Sequence, residues 1–97
     1  MYDDVRELLA TEAALMKLGS RGISTDEAGQ LVRNPHLTVR NPRAGAEPDK
    51  RRLMIGRTDG GRVLTLVIER TVEPTTWLLV TGWSSTEAER NLLNRSR

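Results

Sequence analysis

The spacing of apolar residues predicts helices at both ends of this 97-residue chain and strands between them. Up to residue 33, apolar residues recur every three or four positions, as they do on one face of an amphipathic helix. From residue 36, short apolar and β-branched runs are separated by turn residues, which is typical of strands. The predicted helices span residues 3–18, 24–33 and 86–95, and the predicted strands span residues 36–40, 51–57, 62–70 and 75–83.

Capping residues and one proline set the predicted helix boundaries. Ser24 with Glu27, and Thr86 with Glu89, have the spacing of a capping box, in which each side chain bonds the other residue's backbone N–H. Pro35 disfavours helical conformation at the residue before it, so the second helix is predicted to end there. The predicted apolar face of the first helix consists of Val5, Leu8, Leu9, Ala13 and Met16.

Turn residues and apolar runs define the predicted strands. The tripeptide Asp59-Gly60-Gly61 predicts a two-residue hairpin turn, because Asp-Gly and Gly-Gly pairs tolerate the positive φ that such turns need. Residues 63–68 are apolar on both alternating faces, which predicts a central strand covered on each side. In the last strand the alternation places four residues on one face: Trp77, Leu79, Thr81 and Trp83.

The order of the elements indicates the fold class. Residues 41–48 contain two prolines and no apolar period, and they are predicted to form a loop. Grouped strands with short connections form an antiparallel sheet, and the helices must cover its faces. The prediction is a single α+β domain with two N-terminal helices, an antiparallel meander of three to four strands, and a C-terminal helix.

Composition excludes several kinds of chemistry. The chain has no cysteine and one histidine, so disulfides and thiolate catalysis are excluded, and neither a metal nor a cofactor is expected. It contains no apolar run of the length that crosses a membrane and no N-terminal signal-peptide pattern, so a cytoplasmic protein is expected.

Charge is distributed unevenly along the chain. Acidic residues outnumber basic ones in residues 1–31, and basic residues outnumber acidic ones in residues 32–62. This distribution fits a surface that faces a polyanion, and it equally fits a solvated surface rich in arginine. The chain has three aromatic residues, two Trp and one Tyr, which argues against a platform that stacks successive bases.

The candidate chemistry is that of arginine. Arg51 and Arg57 lie six residues apart in one predicted strand and therefore face the same side, whereas Arg52 faces the other side. Guanidinium groups suit phosphate geometry and can stabilise a phosphorane, although a solvated sheet rim explains the same residues. His36 opens a short strand, where it is either a general base or an ordinary, partly exposed strand residue.

Several short motifs occur in a fixed order over residues 15–93. They are Arg21-Gly22-Ile23-Ser24 with Asp26-Glu27-Ala28, then Asn34-Pro35, Asp49-Lys50-Arg51, Ile55-Gly56-Arg57, Thr58-Asp59-Gly60-Gly61-Arg62, and Ser85-Thr86 with Glu89-Arg90. Their order and spacing resemble BrnT toxins, members of the RelE-like superfamily of bacterial type II toxin–antitoxin systems. The resemblance implies a compact sheet-and-helix ribonuclease that blocks translation by cutting RNA and is neutralised by a small DNA-binding antitoxin.

The resemblance also assigns candidate site residues. Arg51 and Arg57 are the expected catalytic residues of a metal-independent endoribonuclease. The residues expected to contact RNA are Lys50, Arg52, Arg62, Arg90 and Trp83. Trp83 has a second interpretation as a core or interface aromatic residue.

The chain departs from the family pattern at several positions. Thr81-Gly82-Trp83 stands where the family has Ser-Ala-Arg, Leu78 replaces a basic residue, Leu93 replaces a tyrosine and Arg21 replaces a histidine. No opening strand is predicted, because the chain begins in a predicted helix. These departures support an alternative hypothesis, a non-catalytic module of the same fold. Such a module would form a homodimer or bind a helical partner through a strand edge or through Trp77 and Trp83.

Overall fold

A computed structural model describes residues 4–40 and 50–96, and it has the predicted α+β architecture. The elements in chain order are β1 Glu7–Ala10, α1 Glu12–Gly19, α2 Thr25–Arg33, β2 His36–Arg40, β3 Arg51–Arg57, β4 Val63–Arg70, β5 Thr76–Ser84 and α3 Glu87–Arg95. The strands form one sheet in the order β1-β5-β4-β3-β2. Neighbouring strands are antiparallel except β1 and β5, which are parallel. The loop predicted at residues 41–48 lies outside the described residues.

The first half of the predicted helix over residues 3–18 is wrong. Its residues 7–10 form strand β1, where Leu8 lies opposite Trp77 of β5. Pairing with β5 supplies backbone hydrogen bonds that a helix would have to form internally. Among the described residues the sheet therefore has five strands, one more than the sequence predicts, and one of them precedes α1.

Helix α1 begins at a cap that the periodicity of the sequence does not reveal. Thr11 has extended φ and ψ angles of −78° and 161°, and its side chain accepts the N–H of Ala14. The residues that α1 buries are Ala14 and Leu18, whereas Met16 of the predicted apolar face is 70% exposed. The structure thus turns the helix so that a different face packs on the sheet.

Both predicted capping boxes are confirmed. Ser24 and Glu27 exchange backbone-to-side-chain hydrogen bonds of 3.1 Å in each direction. Thr86 donates its N–H to Glu89 at 2.8 Å, and the N–H of Glu89 donates to the Thr86 hydroxyl at 3.2 Å. Each box satisfies N–H groups that the first turn of a helix leaves without partners, so α2 and α3 begin where the sequence predicts.

The sheet is covered by helices on both faces. Helices α1 and α2 cover one face, and the main core lies beneath them. The buried residues of this core are Val5, Leu18, Ile23, Ala28, Leu31, Met54, Leu64, Leu66, Ile68, Trp77 and Leu79. Helix α3 packs on the opposite face through Leu93, which is 5% exposed. Strand β4 is buried on both faces along most of its length, which confirms the prediction of a central strand.

A β-bulge in β5 changes which residues share a face. Val67 of β4 pairs with Thr81, but the next residue, Ile68, pairs with Leu79, so Val80 is an extra residue in β5. Side-chain alternation restarts after a bulge. Trp77 therefore faces the main core, whereas Trp83 pairs with Thr65 on the face that α3 covers, and the predicted common face for the two tryptophans is wrong.

The hairpin between β3 and β4 has a longer turn than predicted. The N–H of Thr58 donates to the carbonyl of Arg62 at 2.8 Å, which encloses three residues between them. Of these, Gly61 has a positive φ of 89°. A three-residue loop whose last residue is left-handed is a common hairpin connection, and it needs one such glycine instead of two.

None of the helices among the described residues combines the length and the apolar character that crossing a bilayer requires.

Candidate functional site

An open cleft of about 680 Å³ lies at the end of the sheet where β2 begins and β3 ends. Three connected regions contribute to it: the junction of α2 and β2, the β3–β4 turn and the end of α3. The cleft is lined by Asn34, Pro35, His36, Arg57, Thr58, Asp59, Leu93 and Ser96. The one histidine of the chain and one of the candidate catalytic arginines both line it, His36 from the α2 face of the sheet and Arg57, which bonds α3, from the opposite face.

The imidazole of His36 is held by two backbone carbonyl groups. Its Nδ1 lies 2.8 Å from the carbonyl oxygen of Leu31 and 2.9 Å from that of Asn34. Carbonyl oxygens only accept hydrogen bonds, so Nδ1 carries the hydrogen. In the neutral ring, Nε2 is therefore the nitrogen that can accept a proton. Orienting a base through its other nitrogen is a recurring device in catalytic sites.

Gly56 lets α2 and β2 approach β3 closely enough to form this arrangement. It lies opposite His36 in the sheet. A Cβ atom at Gly56 would lie 3.0 Å from both the Cβ of His36 and the Cγ of Leu31. The absence of a side chain thus brings the end of α2, which supplies one of the carbonyls that hold His36, against the strand.

Asn34 connects the α2–β2 junction to the hairpin. Its side-chain Nδ2 donates to the carbonyl of Arg57 at 2.8 Å and to Oδ1 of Asp59 at 3.0 Å. The backbone N–H of Asp59 donates to the side chain of Gln30 at 2.9 Å. These bonds join two segments that are distant in sequence, the end of α2 and the β3–β4 turn, and they fix the backbone at the end of β3.

Arg57 reaches α3 from the end of β3. Its Nη2 donates to Oδ1 of Asn94 at 2.8 Å, and the side chain is half-buried. Within residues 4–40 and 50–96, no carboxylate forms an ion pair with Arg57. The guanidinium therefore keeps its charge and further N–H donors for an anion in the cleft.

Helix α3 is attached to the sheet through Glu89. Its carboxylate accepts hydrogen bonds from Thr65 Oγ1 and Trp83 Nε1, each at 3.0 Å, besides the capping bond from Thr86. Burial alone would raise the pKa of Glu89, but the Thr86 N–H and the Trp83 and Thr65 donors outweigh it and hold the pKa below its ordinary value. These bonds position the helix that carries Leu93, Asn94 and Ser96.

The structure separates the two candidate catalytic arginines. Arg51 and Arg57 are the first and last residues of β3, and six residues of strand span about 20 Å. Arg51 is engaged at its own end, where its Nε donates to Glu69 at 3.0 Å. The two arginines share a face of the sheet, but they do not form one phosphate site.

Lys50 and Arg52 lie at the Arg51 end of β3, far from the cleft. Lys50 is exposed, and its carbonyl accepts the N–H of Arg70 at 2.7 Å. Arg52 is buried, and its guanidinium donates to the carbonyl of Arg51 at 2.9 Å. These residues are adjacent to Arg51 and distant from the cavity.

Arg62 links the hairpin to α2. Its Nη1 donates to the carbonyl of Gly22 at 2.8 Å and to Glu27 at 3.2 Å, and its Nη2 donates to Ser84 at 3.1 Å. The backbone N–H of Ser24, with Arg62 as a further contributor, holds the pKa of Glu27 below its ordinary value. These bonds engage both terminal nitrogens of the Arg62 guanidinium within the fold.

Arg90 and Trp83 complete the set of predicted RNA contacts. Arg90 is exposed on α3, one turn before Asn94, so both side chains lie on the same side of the helix. Trp83 is half-buried, and its indole nitrogen is engaged by Glu89. Of the predicted residues, Arg57 lines the cleft, and Arg90 extends from the same helix face that binds Arg57.

Most of the polar residues that shape the cleft are not singled out as site residues by the sequence. Asn34 and Asp59 belong to motifs of the family resemblance, where they are a helix-ending residue and a turn residue, while Asn94 and Ser96 belong to no motif. A usable signal does exist for the first two, because polar residues that follow a helix or a strand often occupy functional loops. No signal points to Asn94. Among the described residues, no three His, Asp or Glu side chains are grouped so that they could hold a metal ion.

No known family model matches this chain, and no curated protein matches it.

Proposed function

We propose that this chain is a RelE/BrnT-like toxin of a bacterial type II toxin–antitoxin system and acts as a metal-independent endoribonuclease that inhibits translation. The observation that carries the proposal is the cleft in which His36, with an oriented ring, and Arg57, without an ion-pair partner among the described residues, line one cavity. In cleavage of RNA through its own 2′-hydroxyl, a base can take the proton of that hydroxyl and a cation can stabilise the charge on the phosphate.

The opening strand adds support from the fold. The sequence pattern predicts no counterpart to the first strand of the family, whereas the fold contains β1 at Glu7–Ala10, and this strand supports the proposal. A fold alone does not establish a function, because many unrelated activities share one architecture. For that reason the proposal depends on the cleft.

The chemistry assigned to the cleft is an in-line transfer of the phosphodiester to the neighbouring 2′-oxygen. His36 Nε2 takes the proton of the 2′-hydroxyl while the 2′-oxygen attacks phosphorus. The bond from phosphorus to the 5′-oxygen breaks, and the 5′-oxygen takes a proton from water. Arg57 donates to the non-bridging oxygens, whose negative charge increases in the transition state. The products are a 2′,3′-cyclic phosphate and a 5′-hydroxyl.

Two single-arginine variants provide the test. Arg57→Ala is expected to lower RNA cleavage by the purified protein about 10²–10³-fold, as removal of a transition-state donor typically does, and to abolish growth arrest on expression in bacteria. Arg51→Ala removes the same charge from the other end of β3 and is the matched control, which should cleave RNA like the wild type. RNA cleavage at full rate by Arg57→Ala, or equal losses in both variants, would contradict the proposed site.

A cognate small antitoxin is the partner that this proposal implies. The alternative, a non-catalytic module that pairs with itself or with a helical partner, is favoured by Leu9 of edge strand β1, which is 48% exposed. Trp77 does not provide its contact surface, because the residue is 1% exposed. Purified wild-type protein that leaves RNA intact and forms a dimer in solution would support this alternative.

A further inference from the structure

The contact between Arg57 and Asn94 assigns a function to the end of α3. The Nη2 to Oδ1 distance is 2.8 Å, and the two residues are 37 positions apart in the chain. A guanidinium only donates hydrogen bonds, so the contacting atom of Asn94 must be its amide oxygen. The bond therefore fixes one edge of the guanidinium and leaves the other N–H groups for a ligand.

Asn94 is held in a position from which it can orient Arg57. Leu93, the preceding residue, is buried and lines the cleft. One turn earlier, Glu89 bonds both Thr65 and Trp83. The end of α3 is thus fixed to the sheet on two successive turns, and the amide of Asn94 is a well-positioned acceptor.

Two other arginines at strand ends bind carboxylates, whereas Arg57 binds a neutral amide. Arg51 pairs with Glu69 at 3.0 Å, and Arg62 pairs with Glu27 at 3.2 Å. Each of those carboxylates neutralises the positive charge of the arginine that it binds. Asn94 is neutral, so it orients the guanidinium without compensating its charge.

We infer that Asn94 is a positioning residue that orients Arg57 toward a phosphate group while leaving its charge uncompensated. The choice of RNA as the substrate rests on the proposed function. The binding of an anion by Arg57 does not depend on it. A purely structural role would require only a hydrogen-bond acceptor at position 94. The positioning role requires an acceptor that is also uncharged.

Asn94→Asp separates these two roles because it keeps the shape and an acceptor oxygen but adds a negative charge. The inference predicts that the variant unfolds at the same or a higher urea concentration, since the new carboxylate can pair with Arg57. It also predicts a fall in kcat/KM for RNA cleavage of about tenfold or more, largely through a higher KM, because the phosphate must compete with the carboxylate. Asn94→Ala should lower kcat/KM through lost orientation.

The control is Asn91→Asp, which adds the same charge to the exposed surface of α3 one turn earlier. It should cleave RNA at close to the wild-type rate. A similar loss in both aspartate variants would show a general electrostatic effect and would overturn the inference. Cleavage by Asn94→Asp at the wild-type rate would also overturn it.

Inorganic phosphate provides a second measurement that does not depend on RNA cleavage. Titration followed through the NMR signal of the Arg57 Nε–H group should show binding in the wild type and in Asn91→Asp, and at least about tenfold weaker binding in Asn94→Asp. If the wild type binds phosphate in this way but cleaves no RNA, the ribonuclease proposal fails and the role of Asn94 stands. If the wild type shows no phosphate binding at Arg57, or if Asn94→Asp leaves that binding unchanged, the inference is wrong.

Discussion

At the scale of single residues, what the cleft can bind depends on which of its polar atoms already form hydrogen bonds within the protein. His36 uses Nδ1 to bond two backbone carbonyls, and Asn34 uses its amide to bond the backbone and side chain of the hairpin. Arg57 contributes one edge to Asn94. On His36, Nε2 therefore remains for a ligand, and on Arg57 the other N–H groups of the guanidinium remain.

The substitution His36→Asn tests whether Nε2 of His36 acts as the general base. The asparagine amide can still donate to the carbonyls of Leu31 and Asn34, but it has no counterpart of Nε2. We expect stability close to that of the wild type and a loss of RNA cleavage of about 10²–10⁴-fold, the usual contribution of a general base. Urea unfolding and initial cleavage rates measure the two quantities. An Asn variant that is folded and cleaves RNA normally would exclude His36 as the base.

Gly82→Ala tests the tight packing of β5 against the core. A Cβ at this position would lie 2.6 Å from Leu66 Cδ2, 2.9 Å from Leu18 Cδ2 and 3.1 Å from the backbone oxygen of Thr65. Overpacking of this kind typically lowers the free energy of unfolding by about 1–3 kcal/mol.

The matched control is Gly29→Ala in α2, where a Cβ would meet no atom within 4 Å. This substitution in a helix interior should raise the free energy of unfolding by about 0.5–1 kcal/mol. Urea denaturation of both variants gives the comparison. Equal stability of the two variants would show that the core adjusts around position 82.

At the scale of secondary-structure elements, α3 completes the cleft. It is a nine-residue helix, too short to persist without tertiary contacts. Its capping box uses the same Glu89 carboxylate that bonds Thr65 and Trp83 on the sheet, so formation of the helix and its attachment to the sheet depend on one side chain. The position of Asn94 beside Arg57 follows from that attachment.

The pH dependence of stability tests the contribution of Glu89. Its pKa lies below the ordinary value of 4.5, so its ionised form is favoured in the folded state. The corresponding stabilisation is present above the pKa of the unfolded chain and is lost as pH falls through the lower pKa of the folded state. Glu89→Gln should therefore lower the free energy of unfolding at pH 7 and flatten its decline below about pH 4.5.

Urea denaturation at a series of pH values provides the measurement. Glu87→Gln removes the same charge from the same helical turn and is the reference for charge removal alone. A pH profile for Glu89→Gln that coincides with the wild type between about pH 2 and 5 would refute the role assigned to the carboxylate.

At the scale of the whole molecule, the fold divides the basic residues between the two ends of β3. Lys50, Arg51 and Arg52 lie at one end, and Arg57 lies at the other end beside the cleft. These four basic residues are therefore divided between two regions about 20 Å apart. Comparison of the Arg57→Ala and Arg51→Ala variants tests which end of the sheet acts on RNA, since each removes one positive charge from the same strand.

Much of the fold could be predicted from the sequence because its signals are local. The two capping boxes each involve residues three positions apart, and Pro35 acts on its immediate neighbour. Strands β2 and β3 begin and end where the alternation and the turn residues indicate. Such signals act over one turn or one hairpin, and they do not need knowledge of the rest of the molecule.

The errors arise where distant contacts decide the structure. Residues 7–10 carry a helix-like pattern, but β5 lies 69 positions away and provides the pairing that makes them a strand. The bulge at Val80 depends on how β5 packs on β4, and it places Trp83 beside Glu89. Neither outcome has a signal within a short window of sequence.

The sequence by itself determined the α+β class, the starts of α2 and α3, the central strand and the chemical groups that are present, because these depend on residue type and on neighbours a few positions apart. Only the tertiary structure decided that Arg57 lies with His36 in one cleft, that Arg51 lies about 20 Å away, and that Asn94 binds Arg57. The physical reason is that a site is a set of distances between segments far apart in the chain. Those distances are fixed by strand order, register and the attachment of α3, each of which depends on the packing of the whole domain.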